Sequence, residues 1–165
     1  VGVPTWRALG TSGQILESTG GSPAWTAPSG STTGWIISRD TSQGGLTTGW
    51  VAFNWTVEEL DTDGFFSTAV NSSLVTITIA GTYIMGTHFY AASSAGAGAR
   101  IVEGTTVLGE VNFYNVASPT EIQNITIRRF ATTGITLTGQ MFTNTAGNAT
   151  NGPRIPSFWG YRIGP

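Results

Sequence analysis

The chain has 165 residues, only 10 % of them charged, and a formal net charge of −2. Its seven arginines are scattered, so no basic stripe would hold a phosphate backbone and no nucleic-acid partner is expected. Its apolar runs are far shorter than a membrane span and it has no cysteine, which argues against bilayer insertion, disulfide frameworks and thiolate sites.

Glycine (23 residues) and the still commoner threonine, with no lysine and little leucine or glutamate, suit short strands joined by tight turns. The chain opens Val1-Gly2 without a signal peptide and reads as the processed or excised end of something longer. Residues 1–34 read as an extended stalk or connector, with "GQILES", the turn "TGGS", "PAWT", and prolines at 4, 23 and 28. A hairpin of that size does not hold alone. Three copies wound together would bury Ile15, Leu16 and Trp25 against one another. A flexible linker is the alternative, though linkers rarely contain tryptophans such as Trp6 and Trp25.

Residues 35–165 read as the head domain. "WVAFNWTV" alternates, with Val51, Phe53, Trp55 and Val57 on one face. "EELDTDG" reads as an acidic turn, "FFSTAV" as a short strand and "LVTITI" as an alternating one. "TYIMGTHFYAA" is apolar on both faces, Tyr83, Met85, Thr87 and Phe89 on one, Ile84, Gly86, His88 and Tyr90 on the other. "SSAGAGA" reads as a loop before "RIVEG", followed by "TTVLGEVNFY", the loop "NVASPTE", "IQNITIRRF" and "GITLTGQMF". A polar loop "TNTAGNATNGPRIP" then precedes "SFWGYRI". About ten short strands at this turn spacing predict an all-β, antiparallel sandwich.

Residues 50–163 resemble the trimeric jelly-roll heads shared by the first complement component and tumour necrosis factor. "VAFNWTVEELDTDGFF" is similar to that family's opening strand and acidic turn. "STAVNSSLVTITIAGTYIMG" resembles its hallmark segment through Thr76, Ile77, Gly81 and Tyr83. "SFWGYRI" resembles its terminal Phe-x-Gly strand through Phe158 and Gly160, although Trp159 and Arg162 depart from the usual smaller or more apolar residues. "WRALGTSGQILESTGGSPAWTAP" is similar to a short module ahead of such heads in bacteriophage tail fibres. The resemblance implies a jelly-roll head on a stalk, closed as a homotrimer and joined to upstream fibre or virion proteins. A strand apolar on both faces is buried on both, so the interface is expected to include Ile84, His88, Tyr90, Trp159 and Tyr161, with Trp25 and Ile15 in the stalk.

Catalytic chemistry has little support. His88 is the one histidine and lies inside an apolar strand, and no Gly-x-Ser-x-Gly elbow occurs. "GAGAR" has no Walker lysine behind it. Glu58, Glu59, Asp61, Asp63, Glu103, Glu110 and Glu121 read as turn formers and solvated charges, not as a glycosidase pair. No metal or other cofactor is expected. Calcium held by Asp61 and Asp63, near a trimer axis, is the minor alternative, since the full twelve-residue calcium loop is missing.

Recognition remains. The long uncharged loops suit the hydroxyls of a glycan, so Asn115, Ser118, Thr120, Asn144, Asn148, Asn151 and Arg154 are the candidate ligand-binding residues. The expected function is a non-enzymatic bacteriophage fibre head on the virion surface, binding a bacterial surface glycan or protein receptor as a homotrimer. A capsid-decorating or head-fibre protein, or a secreted bacterial adhesion domain of the same fold, are the alternatives.

Overall fold

A computed structural model of the protein describes residues 15–17, 24–26, 33–91, 96–114, 120–144, 147–149 and 155–165. The chain divides into two compact units, Val1–Thr32 and Thr33–Pro165. In the first, β1 (Ile15–Glu17) and β2 (Ala24–Thr26) pair antiparallel, with Leu16 opposite Trp25.

The strands of the second unit are β3 (Gly34–Ser38), β4 (Gln43–Leu46), β5 (Gly49–Ala52), β6 (Val57–Asp61), β7 (Val75–Ile77) and β8 (Gly81–Ala91). They continue as β9 (Gly96–Glu103), β10 (Thr106–Tyr114), β11 (Thr120–Phe130), β12 (Ile135–Thr143), β13 (Gly147–Ala149) and β14 (Ser157–Gly164). One sheet has five strands, ordered β10-β9-β12-β5 with β7 also on β12. The other has seven, ordered β4-β13-β8-β14-β3-β6 with β11 along the second edge of β8. Every pairing is antiparallel, and the unit is an all-β jelly-roll sandwich.

Its interior is a continuous chain of rings. Phe130, Tyr83, Trp35, Phe158, Trp55, Phe89 and Phe53 follow one another with centroids 5.1–6.1 Å apart. All seven are buried. The five-stranded sheet meets them with smaller groups, among them Ala97, Ala99, Ile101, Leu137 and Met141. Large residues on one sheet opposite small ones on the other let the layers interdigitate. Trp35 leaves its partner on β14 no room for a side chain: a Cβ at Gly160 would overlap three indole carbons. At the β9–β10 hairpin, Gly104 has φ +57°, a conformation that favours glycine.

Several segments differ from the expectations, each for a physical reason. "VAFNWTV" is not one strand. β5 ends at Ala52 in the five-stranded sheet, and residues 53–56 cross to β6 in the other, with Phe53 and Trp55 still buried. "EELD" is strand and not turn: all of it lies in β6, a sheet edge. An edge strand tolerates the exposed Glu58 and Glu59, which also deter pairing with another chain. "FFSTAV" is not a strand. Phe65 and Phe66 are both buried, which breaks alternation, and only Phe66 bridges to Val75. The "GAGA" of the expected loop is instead the start of β9, its small residues buried beneath other side chains, and Gly147–Ala149 of the last polar loop pairs with β4 and β8.

Two outcomes follow from the core. Gly160→Ala is expected to destabilise the fold by at least about 1–3 kcal/mol, because the added methyl must displace the Trp35 ring; urea unfolding of the two proteins measures it. Burial pushes the Tyr83 phenol above its ordinary value of 10.0, against the pull of Arg162 and with a further push from Asp63. Its O–H donates to the Ile79 carbonyl at 2.8 Å. The folded state therefore keeps a proton that the unfolded chain releases, so this contribution is complete below pH 10 and is lost as pH rises through the higher folded value. Tyr83→Phe should cost about 1 kcal/mol near neutrality and show a shallower alkaline loss of stability, read from urea midpoints at pH 7 and pH 10.5.

Candidate functional site

The side of the seven-stranded sheet away from the core is apolar across five strands. Residues directly opposite in an antiparallel pair share a face, so the register gives its rows. One row runs Leu60, Ile36, Trp159, Gly86, Ile125, and the next runs Gly34, Tyr161, Ile84, Ile127. Trp159 lies across Gly86, where a Cβ would come within 2.6 Å of its Cζ2. Tyr161 packs beside it with centroids 6.1 Å apart. Ile125 and Ile127 are 60 % and 61 % exposed. A contiguous exposed apolar patch on a folded domain marks an interaction surface.

A polar row bounds this patch: Ser38, Ser157, His88, Gln123. His88 is nearly buried, its Nδ1 lies 3.3 Å from the Ile155 carbonyl oxygen, and its Nε2 lies 3.9 Å from Glu121 Oε2. Neither ring nitrogen bonds the Ser157 hydroxyl, so the hydroxyl–imidazole contact that general-base activation uses is not formed. A surface cavity of about 350 Å³, lined by residues such as Phe65, Phe66, Asn71 and Leu74, carries no ionisable group.

Of the expected interface residues, Ile84, Trp159 and Tyr161 meet at the centre of the patch. His88 lies on its polar border, and Tyr90 lies one row beyond, opposite Glu121. Ile15 and Trp25 are in β1 and β2, and their side chains lie outside the described residues. The expectation omitted Ile36, Leu60, Ile125 and Ile127. A signal for the last two was present: in "IQNITI" the apolar parity changes after Ile122, which turns Ile122 and Asn124 inward and Ile125 and Ile127 outward.

Of the expected ligand-binding residues, Asn115, Ser118, Asn151 and Arg154 lie outside the described residues. Thr120 and Asn148 are in β11 and β13, their side chains undescribed, and Asn144 is exposed just past β12. Register nevertheless brings their strands together. Thr120 and Ala149 both pair with Ala91, Tyr114 pairs with Gly96, and Thr143 pairs with Ala97. The strand ends flanking all three polar loops therefore meet at one pole. The chain enters the head at Gly34, opposite Tyr161, at the other pole.

The Asp61 and Asp63 pair is organised as a turn. Asp61 Oδ1 accepts N–H bonds from Phe65 at 2.8 Å and Asp63 at 3.3 Å, and Oδ2 accepts from Phe66 at 2.9 Å. Asp63 accepts the Thr62 hydroxyl. Both Asp61 oxygens thus accept backbone N–H bonds that shape the turn.

No protein-family model matches the sequence, and no curated protein matches it. Solved structures do. The globular domain of zebrafish complement 1qA protein is similar with a TM-score of 0.57 at 12 % identity, over 79 % of this chain and 97 % of that one. Murine APRIL crystallised at pH 8.5 is similar with a TM-score of 0.59 at 9 % identity, over 78 % and 98 %. At such identities the likeness establishes the fold: the jelly roll of the first complement component and tumour necrosis factor.

Asp61→Ala should cost about 2 kcal/mol, since three backbone N–H groups lose a charged acceptor, and millimolar calcium should leave the wild-type melting temperature unmoved. Differential scanning calorimetry reads both.

Proposed function

We propose that this chain is a non-enzymatic, homotrimeric knob of a bacteriophage fibre, carried on the virion surface and attaching the particle to its bacterial host. The observation that carries this reading is the apolar face on the outside of the seven-stranded sheet. Trp159, Tyr161, Ile84, Ile125 and Ile127 gain nothing from solvent and are sheltered when sister copies pack around a shared axis. Residues 1–34, with Leu16 opposite Trp25 in the hairpin register, serve as the stalk and join upstream fibre proteins.

The polarity of the head supports an adhesive role. The chain enters at one pole, and the described strand ends that flank the three polar loops meet at the other; in this reading Asn115, Ser118, Thr120, Asn144, Asn148, Asn151 and Arg154 meet a host glycan or protein receptor. Three weak sites on one rigid knob add up to firm attachment, because the second and third contacts form at high effective concentration.

Two measurements test the proposal. The wild-type protein should sediment at three subunit masses, whereas the double variant Ile125→Asp, Ile127→Asp should remain folded by circular dichroism and sediment as one. Free wild-type protein should block adsorption of the phage to susceptible cells, and the variant should need about 10²-fold more protein for the same block. A single stable wild-type subunit at micromolar concentration overturns the trimer, and unimpeded adsorption assigns the chain to capsid decoration or another surface role.

A further inference from the structure

The opposite side of the sandwich carries a second constellation of different chemistry. On the solvent side of the five-stranded sheet, register aligns Trp50, Phe142, Gly98 and Asn112 in one row and Ala52, Gln140, Arg100 and Glu110 in the next. Trp50 and Phe142 pack with centroids 5.3 Å apart, and the Arg100 guanidinium lies 4.2 Å from the Trp50 ring centroid. Arg100 Nε donates to Gln140 Oε1 at 2.8 Å, and its Nη1 lies 3.6 Å from Glu110 Oε2. Asn112 Nδ2 donates to the other Glu110 oxygen.

Glycine makes this arrangement possible. A Cβ at Gly98 would collide with Asn112 Oδ1 and come within 3.0 Å of Trp50 Cη2. Two steps along β9, the Asn144 amide covers Gly96 in the same way. The result is a band about 13 Å long, from Gly96 to Arg100, with two half-exposed aromatic rings beside planar amide, guanidinium and carboxylate groups that hold one another in fixed directions.

None of these side chains serves the core, which is filled from the other face of the sheet. Aromatic surface beside rigid, planar hydrogen-bonding groups matches a sugar, whose C–H face packs on a ring while its hydroxyls meet amide and guanidinium groups. Arg100 Nη2 and Gln140 Nε2 are not used within the network. Arg100 and Glu110 cancel in charge, which favours an uncharged saccharide. Glu110 is the one carboxylate in the two rows, so the pair needed to cleave a glycosidic bond is not assembled here.

We propose that this band, Trp50, Phe142, Arg100, Gln140, Asn112 and the adjoining Asn144, is a binding site for a neutral oligosaccharide. For the source of the sugar, the host envelope, it rests on the adhesion reading above. The two sheets face opposite ways, so closing the trimer through one leaves this band outward on the knob, beside the pole where the strand ends flanking the polar loops meet.

The test uses the full chain and oligosaccharides released from the host envelope by mild acid, separated into neutral and acidic fractions. Titration calorimetry should show the neutral fraction binding wild-type protein, with affinity falling at least about tenfold in Trp50→Ala and in Gln140→Ala. Arg100→Lys, which keeps the charge but loses the planar fork, should fall similarly. Gln140→Ala and Arg100→Lys guard against the case in which loss of Trp50 disturbs folding, which melting temperature reports. If the protein adheres to host cells and all three variants bind like wild type, or only the acidic fraction binds, the site is wrong and the adhesion reading stands. If wild-type protein binds neither cells nor oligosaccharides, both are wrong.

Discussion

The contact of the Trp35 indole with Gly160 is the constraint on which the rest of the head depends. It joins β3 to β14 at a point where no side chain larger than hydrogen fits, and it places the indole against Phe65, Tyr83 and Phe158. Once Gly160 faces inward, the two-residue period of a strand leaves no freedom for its neighbours: Phe158 also faces in, and Trp159 and Tyr161 face out. The parity of one short strand thus settles both what fills the centre of the sandwich and what its outer surface displays.

The two outer surfaces are unlike each other in a way that core packing does not require. The seven-stranded sheet turns aliphatic and aromatic residues outward between polar rows, Ser157, His88 and Gln123 on one side and Thr82 and Arg129 on the other. The five-stranded sheet turns outward two rings interlocked with charged and amide groups. On both, a glycine lies beneath a tryptophan, Gly86 under Trp159 and Gly98 under Trp50. An indole that packs against a glycine covers bare backbone and offers a broad apolar surface, a suitable base for contact with another molecule.

How much of this was legible depends on what each segment does. "TYIMGTHFYAA" announced itself through apolar residues at both parities: Tyr83, Met85 and Phe89 fill the core, and Ile84 lies on the outer apolar face. The role of Phe158 and Gly160 was likewise visible in "SFWGYRI". The acidic stretch from Glu58 misled because edge strands have little need of apolar residues, and "GAGA" misled because small residues serve a covered strand as well as a loop. "FFSTAV" misled because Asp61 takes the amide hydrogens of Phe65 and Phe66 that a ladder would have used. The meeting of Trp50 with Phe142 and Arg100 was invisible for a different reason. It is a product of register between strands far apart in the chain, which no local pattern encodes.

The position of β14 has a consequence for how the protein is made. Residues 157–164 occupy the interior of their sheet, between β3 and β8, so a nascent chain lacking them has a gap where the Trp35 indole should find its seat. Strands synthesised long before must wait with unpaired edges until this segment leaves the ribosome, since long-range β pairing cannot begin without its partner. Vectorial synthesis therefore yields no gradually assembled head. Closure of the sandwich is a late event, and exposure of apolar strands to neighbouring nascent chains is greatest just before it.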